Sequence, residues 1–302
     1  MNQDIIQNID ALEGINALPD HSVDLIIADP PYGLGKDYGN DSDKKPKKEF
    51  LLWMEKWLTL TIPKLKNSGS LYIFTTWRYS PEIFVFLKQH LIMLNEIIWD
   101  RRVPSMGGTT RKYSSVHDTI GFFAKTDKYY FDLDPIRVPY DAETKKARSR
   151  SIFIGKKWLE VGYNSKDLWS VSRLHRIHAE REDHPTQKPM EIIERMVKAS
   201  CPQGGIVLDP FAGSGTTVEA CIRNNRHFIA FELNPTYYEL VLRRAERAKA
   251  DIASVLNFDD FKNNTAVVYP EHVDAQATLF EKGPTPRKST VFSTRSGSKN
   301  GD

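Results

Sequence analysis

An α/β fold with an open sheet is predicted by two features of the sequence. Short apolar runs rich in Ile, Val and Leu, such as 23–28, 206–208 and 227–232, end at turn or acidic residues and are typical of buried strands. Longer segments with apolar residues at helical spacing, such as 49–64 and 235–253, lie between or after them. Strands that alternate with helices favour a layered α/β domain.

The first 125 residues are predicted to contain five strands and three helices. The strands are 3–9, 23–28, 70–74, 95–99 and 115–125, and the helices are 11–18, 49–64 and one that begins near Pro81. The aromatic residues of the second helix are interpreted as core packing. The strand at 115–125 follows 95–99 without a long helix, so we expect it to pair antiparallel at one edge of the sheet. The polar residues 33–48 predict a loop that either closes over a ligand or is simply flexible.

The rest of the chain divides into three parts. Residues 126–182 have weak periodicity and mix basic with aromatic residues. Regular patterns then return as a helix at 190–200, a strand at 206–208, helical spacing at 218–222, a strand at 227–232 and a helix at 235–253. The pattern fades after 254, and 283–302 have the composition of a disordered tail. We therefore predict the divisions 1–125, 126–182, 183–253 and 254–302.

The segment Asp29-Pro30-Pro31-Tyr32 follows the apolar run 23–28, so it lies at the carboxyl end of a predicted strand, where open α/β sheets bind ligands. The prolines lack N–H donors but keep their carbonyl acceptors. An ionised Asp29 beside the Pro30 carbonyl offers two acceptors to an –NH2 group, and Tyr32 offers a face for stacking. Taken alone, a Pro-Pro turn with an Asp cap explains the segment equally well.

A second candidate site is the loop Gly213-Ser214-Gly215, which lies between a predicted strand and a predicted helix. Glycines let the backbone approach a ligand closely. Glu232 ends the following strand, where an acid can hydrogen-bond both hydroxyls of a ribose. The third glycine of a dinucleotide-binding loop is replaced by Val218, and the lysine of a phosphate-binding loop is absent. These features favour S-adenosylmethionine over NAD or ATP.

Composition and charge limit the location and the partners. The 302-residue chain has two cysteines, no signal-peptide pattern and no long apolar run, so we predict a cytoplasmic protein without disulfides or membrane contact. Residues 101–182 contain 17 Lys and Arg against 10 Asp and Glu, a net of +7, whereas the whole chain carries +3. Such a segment is either a phosphate-contacting surface or a solvated basic region. His175 and His178 lack a supporting Cys or His, so no metal site is predicted.

Together these motifs resemble the β-type amino-methylating DNA methyltransferases of restriction-modification systems, in which the catalytic motif precedes the cofactor motif. The resemblance covers roughly residues 5–250 and depends on three blocks, 29–32, 184–189 and 209–216. It implies a doubly wound, circularly permuted and mostly parallel sheet of seven strands with one antiparallel edge strand. It also implies that 1–125 and 183–253 are the catalytic and cofactor-binding halves of one domain, and that 126–182 are an irregular target-recognition insert.

The resemblance also implies roles for individual residues. Asp29, Pro30, Pro31 and Tyr32 match the catalytic motif. The residues expected to bind the cofactor are Asp10, Asp29, Thr186, Gln187, Lys188, Asp209, Phe211, Gly213, Ser214, Gly215, Thr216 and Glu232. Asp10 would lie beside the adenine of the cofactor, Glu232 would hold the ribose, and 186–188 would lie near the methionine carboxylate. Trp99 would either wall the pocket for the target base or pack in the core.

The implied activity is adenine-N6 methylation of duplex DNA, with cytosine-N4 methylation as the alternative because both targets are exocyclic amines. Adenine is favoured because family members whose motif begins with Asp mostly act on it. The target base would be flipped out of the duplex and stacked on Tyr32, with its amine held by Asp29 and the Pro30 carbonyl for direct methyl transfer. A C5-cytosine mechanism is set aside because Cys201 and Cys221 lie away from the catalytic motif.

Two functions from other classes remain as alternatives. One is methylation of a protein glutamine amide, for which a related motif begins with Asn instead of Asp. The other is a DNA-binding module that keeps the fold without catalysis. Double-stranded DNA is the expected partner, and the family suggests a cognate restriction endonuclease and a homodimer as further partners. The DNA site itself is not readable from the sequence.

Overall fold

The computed structural model describes residues 3–33, 35, 44–103, 110–111, 113–149, 156–175 and 177–256. The chain divides into two compact units, Met1–Val255 and Leu256–Asp302, and all of the described strands belong to the first. Residues 257–302 lie outside the described residues, and with them nearly all of the predicted C-terminal extension and its predicted disordered tail. Residues 34 and 36–43 of the predicted loop at 33–48 also lie outside them.

The described residues form eight strands and eight α-helices. The strands are Ile5–Asn8 (β1), Val23–Ala28 (β2), Leu65–Thr75 (β3), Ile92–Asp100 (β4), His117–Ala124 (β5), Leu168–Ser170 (β6), Ile206–Asp209 (β7) and His227–Glu232 (β8). The helices are Ala11–Asn16 (α1), Lys47–Thr61 (α2), Ser80–Leu87 (α3), Ala142–Arg148 (α4), Lys156–Val161 (α5), Met190–Ser200 (α6), Thr216–Arg223 (α7) and Pro235–Leu256 (α8). The predicted bounds of β2, α6 and β8 are confirmed residue for residue.

The eight strands lie in one mixed sheet, in the order β1-β8-β7-β2-β3-β5-β4-β6. Among the described strands only β5 is antiparallel to its neighbours, β3 and β4. The predicted α/β class and the antiparallel pairing of β5 are therefore confirmed. Two details were wrong, since the sheet has eight strands instead of seven and β5 is internal. After α3 the chain leaves one strand position open between β3 and β4, which β5 fills, and β6 then pairs with the outer side of β4.

Helices cover both faces of the sheet, and β2 lies between them. Its side chains alternate, with Leu25 and Ile27 in the hydrophobic cluster that includes α6 and α7, and Ile26 and Ala28 in the cluster that includes α1, α2 and α3. Burial on both faces explains why five of the six residues of this strand, all except Asp24, are apolar. Each fully buried large side chain contributes about 1.5–3 kcal/mol, so β2 is a firm support for the residues at its end.

The strand order reverses between β7 and β2. From β7 the chain continues to its neighbour β8, whereas from β2 it continues to β3 on the opposite side. The carboxyl ends of β7 and β2 therefore border the crevice where open α/β sheets bind ligands. Asp24 joins the two strands, because its Oδ2 accepts hydrogen bonds from the Ile206 N–H at 2.9 Å and from Lys66 Nζ at 2.7 Å.

The predicted insert at 126–182 begins at the amino ends of the parallel strands and ends at their carboxyl ends, which we call the amino edge and the carboxyl edge of the sheet. Tyr130 and Asp132 lie at the amino ends of the parallel strands, where their N–H groups donate to the start of β3 and to the end of α6. After β6 the chain reaches the opposite edge, where the Val171 N–H donates to Asp100 O at 3.2 Å. The insert is more regular than expected, since its described part holds α4, α5 and β6. Its role in target recognition stays a prediction.

Trp99, for which the sequence left two alternatives, lies in the core. So do the two cysteines, which were expected to be unreactive. Trp99 is only 3% exposed, and its Nε1 donates to Val171 O at 2.7 Å, so the core alternative for this residue is confirmed. Cys201 and Cys221 are buried, as predicted. Burial raises the pKa of the Cys201 thiol to about 12, which disfavours the reactive thiolate.

Candidate active site

A cavity of about 450 Å³ lies at the crevice between β7 and β2, within the range that small-molecule sites occupy. It is lined by twelve of the residues singled out from the sequence: Asp10, Asp29, Pro31, Thr186, Gln187, Lys188, Asp209, Phe211, Gly213, Ser214, Thr216 and Glu232. Segments that are far apart in the chain thus meet at one edge of the sheet. The remaining three, Pro30, Tyr32 and Gly215, are not part of the lining.

Both carboxylate oxygens of Asp29 have donors. The Tyr32 hydroxyl donates to Oδ1 at 2.8 Å, and the Lys188 ammonium contacts Oδ2. The same ammonium lies 5.4 Å from the Tyr32 ring centroid and 5.1 Å from that of Phe74, within the range of cation–π attraction. Asp29 is therefore held in one orientation by a buried lysine between two aromatic rings.

The cofactor loop owes its conformation to two glycines with positive φ. Gly213 has φ +52°, and a Cβ there would lie 3.1 Å from the His184 ring. Gly215 has φ +78°, and a Cβ there would lie 3.2 Å from the Val241 backbone. Gly215 thus backs onto α8 instead of facing the cavity, and the loop packs too closely for most side chains.

Glu232 fixes the loop through its carboxylate. Its Oε2 accepts a hydrogen bond from the Gly213 N–H and its Oε1 from the Asn234 N–H, both at 2.8 Å. Burial raises the pKa of Glu232 above its ordinary value, while these N–H donors oppose the shift. Because a carboxylate offers about four lone-pair sites, each oxygen keeps acceptor capacity for a ligand hydroxyl.

Asp209, at the end of β7, lies deeper in the same site. Burial raises its pKa to about 7, although hydrogen bonds from Thr217 and from the Phe211 N–H at 3.0 Å oppose the shift. The carboxylates of Asp29 and Glu232 act in the same direction as burial. Asp209 therefore gains and loses its proton near neutral pH, and the loop after β7 is tied to a titrating group.

The segment before α6 is braced from within. The Gln187 side chain donates to Glu180 O and accepts from the Glu182 N–H, each at 2.7 Å. Lys188 O accepts from Thr216 Oγ1 at 3.2 Å, which ties this segment to the cofactor loop. The Gln187 amide is therefore bonded to the protein, although the residue also lines the cavity.

A buried arginine supports the loop from behind. Arg244 of α8 is 1% exposed, donates to Ser214 O at 3.1 Å and to Thr216 Oγ1 at 3.0 Å, and forms an ion pair with Glu219. No motif in the sequence singled out this residue. Its position on the apolar face of α8, which Val241, Ala245 and Ala248 share, is the signal that could have found it.

The aromatic residues of α2 were interpreted as core packing only. Phe50 and Trp57 are indeed buried, yet both line the cavity together with Trp53. Phe211 packs edge-on against Trp57 with ring centroids 5.2 Å apart. The spacing of these residues placed them on one face of a helix, but could not indicate that the face ends at a ligand site.

The side chains present fit S-adenosylmethionine. The lining combines an aromatic wall, a glycine loop and four carboxylates against two lysines: Asp10, Asp29, Asp209 and Glu232 against Lys45 and Lys188. A lining with more carboxylates than ammonium groups suits a ligand that carries a positive sulfonium and no phosphates. Glu232 also keeps acceptor capacity for ribose hydroxyls.

Comparison with known proteins decides the class. The family model described as DNA methylase, which covers N6 and N4 methyltransferases, matches residues 23–243, well over half of the chain. The chain belongs to this family. The matched region begins with β2 and extends into α8, so it includes Asp29, the loop at 213–215 and Glu232.

Relatives of this DNA methylase include two curated proteins. It is 38% identical over 238 residues to the type II methyltransferase M.HpaI of Haemophilus parainfluenzae, covering 78% of this chain and 72% of the relative. It is 34% identical over 245 residues to the DNA adenine methyltransferase YhdJ of Escherichia coli, covering 79% and 81%. These similarities confirm the predicted resemblance.

Solved structures resemble it as well. The M1.HpyAVI–SAM complex has a TM-score of 0.54 at 26% identity and covers 79% of this chain and 98% of that one. The cytosine-N4-specific PvuII DNA methyltransferase has a TM-score of 0.62 at 17% identity, with 84% and 92% covered, and at that identity supports the fold alone. None of the helices in the described part of the chain has the length and apolar character needed to span a bilayer.

Proposed function

We propose that this DNA methylase transfers a methyl group from S-adenosylmethionine to the N6 amine of adenine in double-stranded DNA. The enzyme class, an S-adenosylmethionine-dependent DNA methyltransferase, follows from family membership. The observation that carries the proposal is that Asp29 and the Gly213 loop open into the same cavity. Adenine is supported by the relative named a DNA adenine methyltransferase and by the Asp that begins the catalytic motif.

When bound, S-adenosylmethionine supplies an electrophilic methyl group on a positively charged sulfur. Gly213, Ser214, Phe211 and Glu232 would hold it, with the carboxylate of Glu232 accepting hydrogen bonds from the ribose hydroxyls. The aromatic residues of α2 that line the cavity would exclude water from the adenosine. Trp57 is fully buried and Phe50 almost fully.

Asp29 and the Pro30 carbonyl would accept the two hydrogens of the target amine. This withdraws the nitrogen lone pair from conjugation with the ring and leaves it available for attack. The carboxylate would also stabilise the positive charge that develops on the nitrogen. Lys188 and Tyr32 hold Asp29 in a fixed orientation before the base arrives, which lowers the reorganisation needed at the reaction.

The base must leave the duplex to reach Asp29. Tyr32 would stack on it, and stacking on an aromatic side chain contributes about 1–3 kcal/mol per base. In the structure the Tyr32 hydroxyl is bonded to Asp29, so its ring is held beside the carboxylate that would bind the amine. The ring and the acceptor are therefore positioned together.

The test is methylation of a duplex DNA library with isotope-labelled S-adenosylmethionine, followed by digestion to nucleosides and mass spectrometry. We expect label in N6-methyladenine. Label in N4-methylcytosine instead would overturn the choice of base but keep the class. Asp29→Ala should abolish the label while binding S-adenosylmethionine with nearly unchanged affinity by calorimetry, and full activity of that variant would exclude the role of Asp29.

Three finer statements remain predictions from the sequence and the family. They are a cytoplasmic location, a cognate restriction endonuclease and a homodimer. Size-exclusion chromatography with light scattering would test the last of these on the full chain.

A further inference from the structure

The predicted DNA-recognition insert divides between two edges of the sheet, and only one edge holds the active site. We infer that the duplex beside the target base is bound by a surface at the carboxyl edge, made of Trp77, Arg78, Arg102 and Arg173, and not by the exposed Lys146 and Arg148 of α4. We call this surface the arginine edge. The inference deepens the proposed function and depends on it, because it concerns how the DNA substrate is held.

Strand register places the arginine edge level with the catalytic residue. Ala28 pairs with Ile73, so Asp29 lies level with the end of β3, and Trp77 and Arg78 follow shortly after that end. On the far side of β5, β4 runs in the same direction and ends at Asp100, two residues before Arg102. β4 lies three strand positions from β2, or about 14 Å at a spacing of about 4.8 Å.

The chain after β6 continues the same edge. The Arg173 N–H donates to Arg101 O at 3.5 Å, so these two stretches run side by side beyond their strands. β6 lies four strand positions from β2, or about 19 Å. Because a duplex carries one phosphate charge per about 1.7 Å of its axis, an edge of this length faces many phosphates on one side of a base held at Asp29.

The backbone of Arg102 has a conformation that residues other than glycine rarely adopt. Its φ is +59°, in the left-handed region that favours glycine. Its N–H donates to Asp100 Oδ1 at 2.8 Å, and its guanidinium donates to Ser170 Oγ at 3.1 Å and to Ser170 O at 2.7 Å. The residue remains exposed in spite of these contacts. Strained residues of this kind cluster at binding sites, and a guanidinium held in place loses less freedom when it meets a phosphate.

The carboxylate of Asp100 holds the backbone of this arginine in place. Its Oδ1 accepts from the Arg102 backbone and its Oδ2 from the Ser170 hydroxyl at 3.0 Å. Arg101, by contrast, turns inward, since its side chain is 16% exposed and pairs with Asp118. We therefore leave Arg101 out of the surface and treat it as a structural ion pair.

Trp77 gives the edge an apolar component. It is 53% exposed, and the Arg78 guanidinium lies 6.0 Å from its ring centroid. A half-exposed tryptophan beside arginines is typical of surfaces that contact nucleic acid, where rings stack on bases and guanidinium groups bind phosphates.

The described start of the insert lies at the other end of the strands, away from the active site. Tyr130 N–H donates to Ser68 O at 3.0 Å, and Ser68 lies six residues before Phe74, which is level with Asp29. Six residues of strand span about 20 Å. Asp132 N–H donates to Ala199 O, at the end of α6 opposite to Lys188. The insert thus begins on the side of the sheet away from the cavity and braces α6 there.

The test compares two pairs of charge-removing substitutions in the full chain. The edge pair is Arg102→Gln with Arg173→Gln, and the control pair is Lys146→Gln with Arg148→Gln, two exposed residues of α4. Fluorescence anisotropy with a labelled duplex measures the dissociation constant between 50 and 200 mM salt. We expect at least tenfold weaker binding for the edge pair, and a salt slope lower by about 0.9 for each phosphate that is no longer neutralised. The control pair should match the wild type.

Each outcome has a distinct meaning. If the wild type neither binds nor methylates duplex DNA, the proposed function itself fails. If it does both, but the control pair loses binding, or the two pairs behave alike, the inference is overturned. Affinity for S-adenosylmethionine identifies a misfolded variant, and Arg78→Gln with Arg173→Gln then replaces the edge pair, since it leaves the contacts of Arg102 intact.

Discussion

The ammonium of Lys188 contacts the carboxylate of Asp29, a residue 159 positions earlier in the chain. The lysine lies just before α6, whereas the aspartate directly follows β2. The contact therefore joins the predicted cofactor-binding part of the sequence to the predicted catalytic motif. It also means that the proposed acceptor for the target amine has a cationic partner before DNA binds.

Lys188→Met should lower the rate of methyl transfer by about 10- to 100-fold, because a hydrogen bond to a charged group contributes about 1.5–3 kcal/mol. The rate under saturating DNA and S-adenosylmethionine measures this. If Lys188 acts through Asp29, affinity for S-adenosylmethionine should change little. If Lys188 instead contacts the methionine carboxylate of the cofactor, as the resemblance implies, calorimetry should detect a large loss of affinity for S-adenosylmethionine. Lys198→Met, which removes a lysine paired with Glu194 on the same helix, is the matched control.

Glu232→Gln should weaken S-adenosylmethionine binding by at least about tenfold, since the new amide –NH2 faces an N–H donor of Gly213 or Asn234. Wild-type affinity should fall as the pH is lowered through the pKa that burial raises, because protonation removes the same acceptor. The variant should lose this pH dependence. Glu239→Gln, an exposed residue of α8, should leave both affinity and pH profile unchanged.

Gly215→Ala should destabilise the protein more than Gly204→Ala. Both glycines have positive φ, +78° and +69°, which costs an L-residue about 1–2 kcal/mol. A Cβ at Gly204 would meet nothing within 4 Å, whereas one at Gly215 would press on Val241. Urea unfolding measures the difference, and S-adenosylmethionine binding should fall only for Gly215→Ala. Equal losses would mean that the packing against α8 is not tight.

Asp209→Asn should change how stability depends on pH. The folded-state pKa of about 7 lies above the unfolded value, so the folded protein holds this proton more tightly. The stability it contributes is complete at low pH and is lost as the pH rises through about 7, by at most about 1.4 kcal/mol per pH unit. Between pH 4 and 7 the wild type should therefore lose stability relative to the asparagine variant. Parallel urea curves across that range would contradict this.

Much of the fold could be predicted because the central strands carry their own signal. β2 is buried on both faces and is apolar except for Asp24, so its bounds are visible in the sequence. The antiparallel pairing of β5 was predictable because the sequence between it and β4 has no pattern of a long helix. Its internal position was not, because nothing in a strand's own sequence states which neighbour will take its other side.

The site was predictable in part for the same reason. Asp29 and Glu232 end strands, and strand ends of one sheet meet. The pairing of Lys188 with Asp29 depends on how α6 packs across β2, which no local pattern encodes. The second role of Phe50 and Trp53 was missed because a helix face that lines a cavity and one that lines a core have the same spacing.

The bond between the Ile206 N–H and Asp24 joins residues 182 positions apart, at the seam where the two halves of the site meet. During synthesis, β3 can pair with β2 early, but most of the chain must leave the ribosome before β7, the other neighbour of β2, exists. Such long-range pairing slows folding, because the loop must close before the contact stabilises anything. An incomplete translation product that ends before β7 would carry Asp29 beside β3, but would lack Asp209, the glycine loop and Glu232, which line the same cavity.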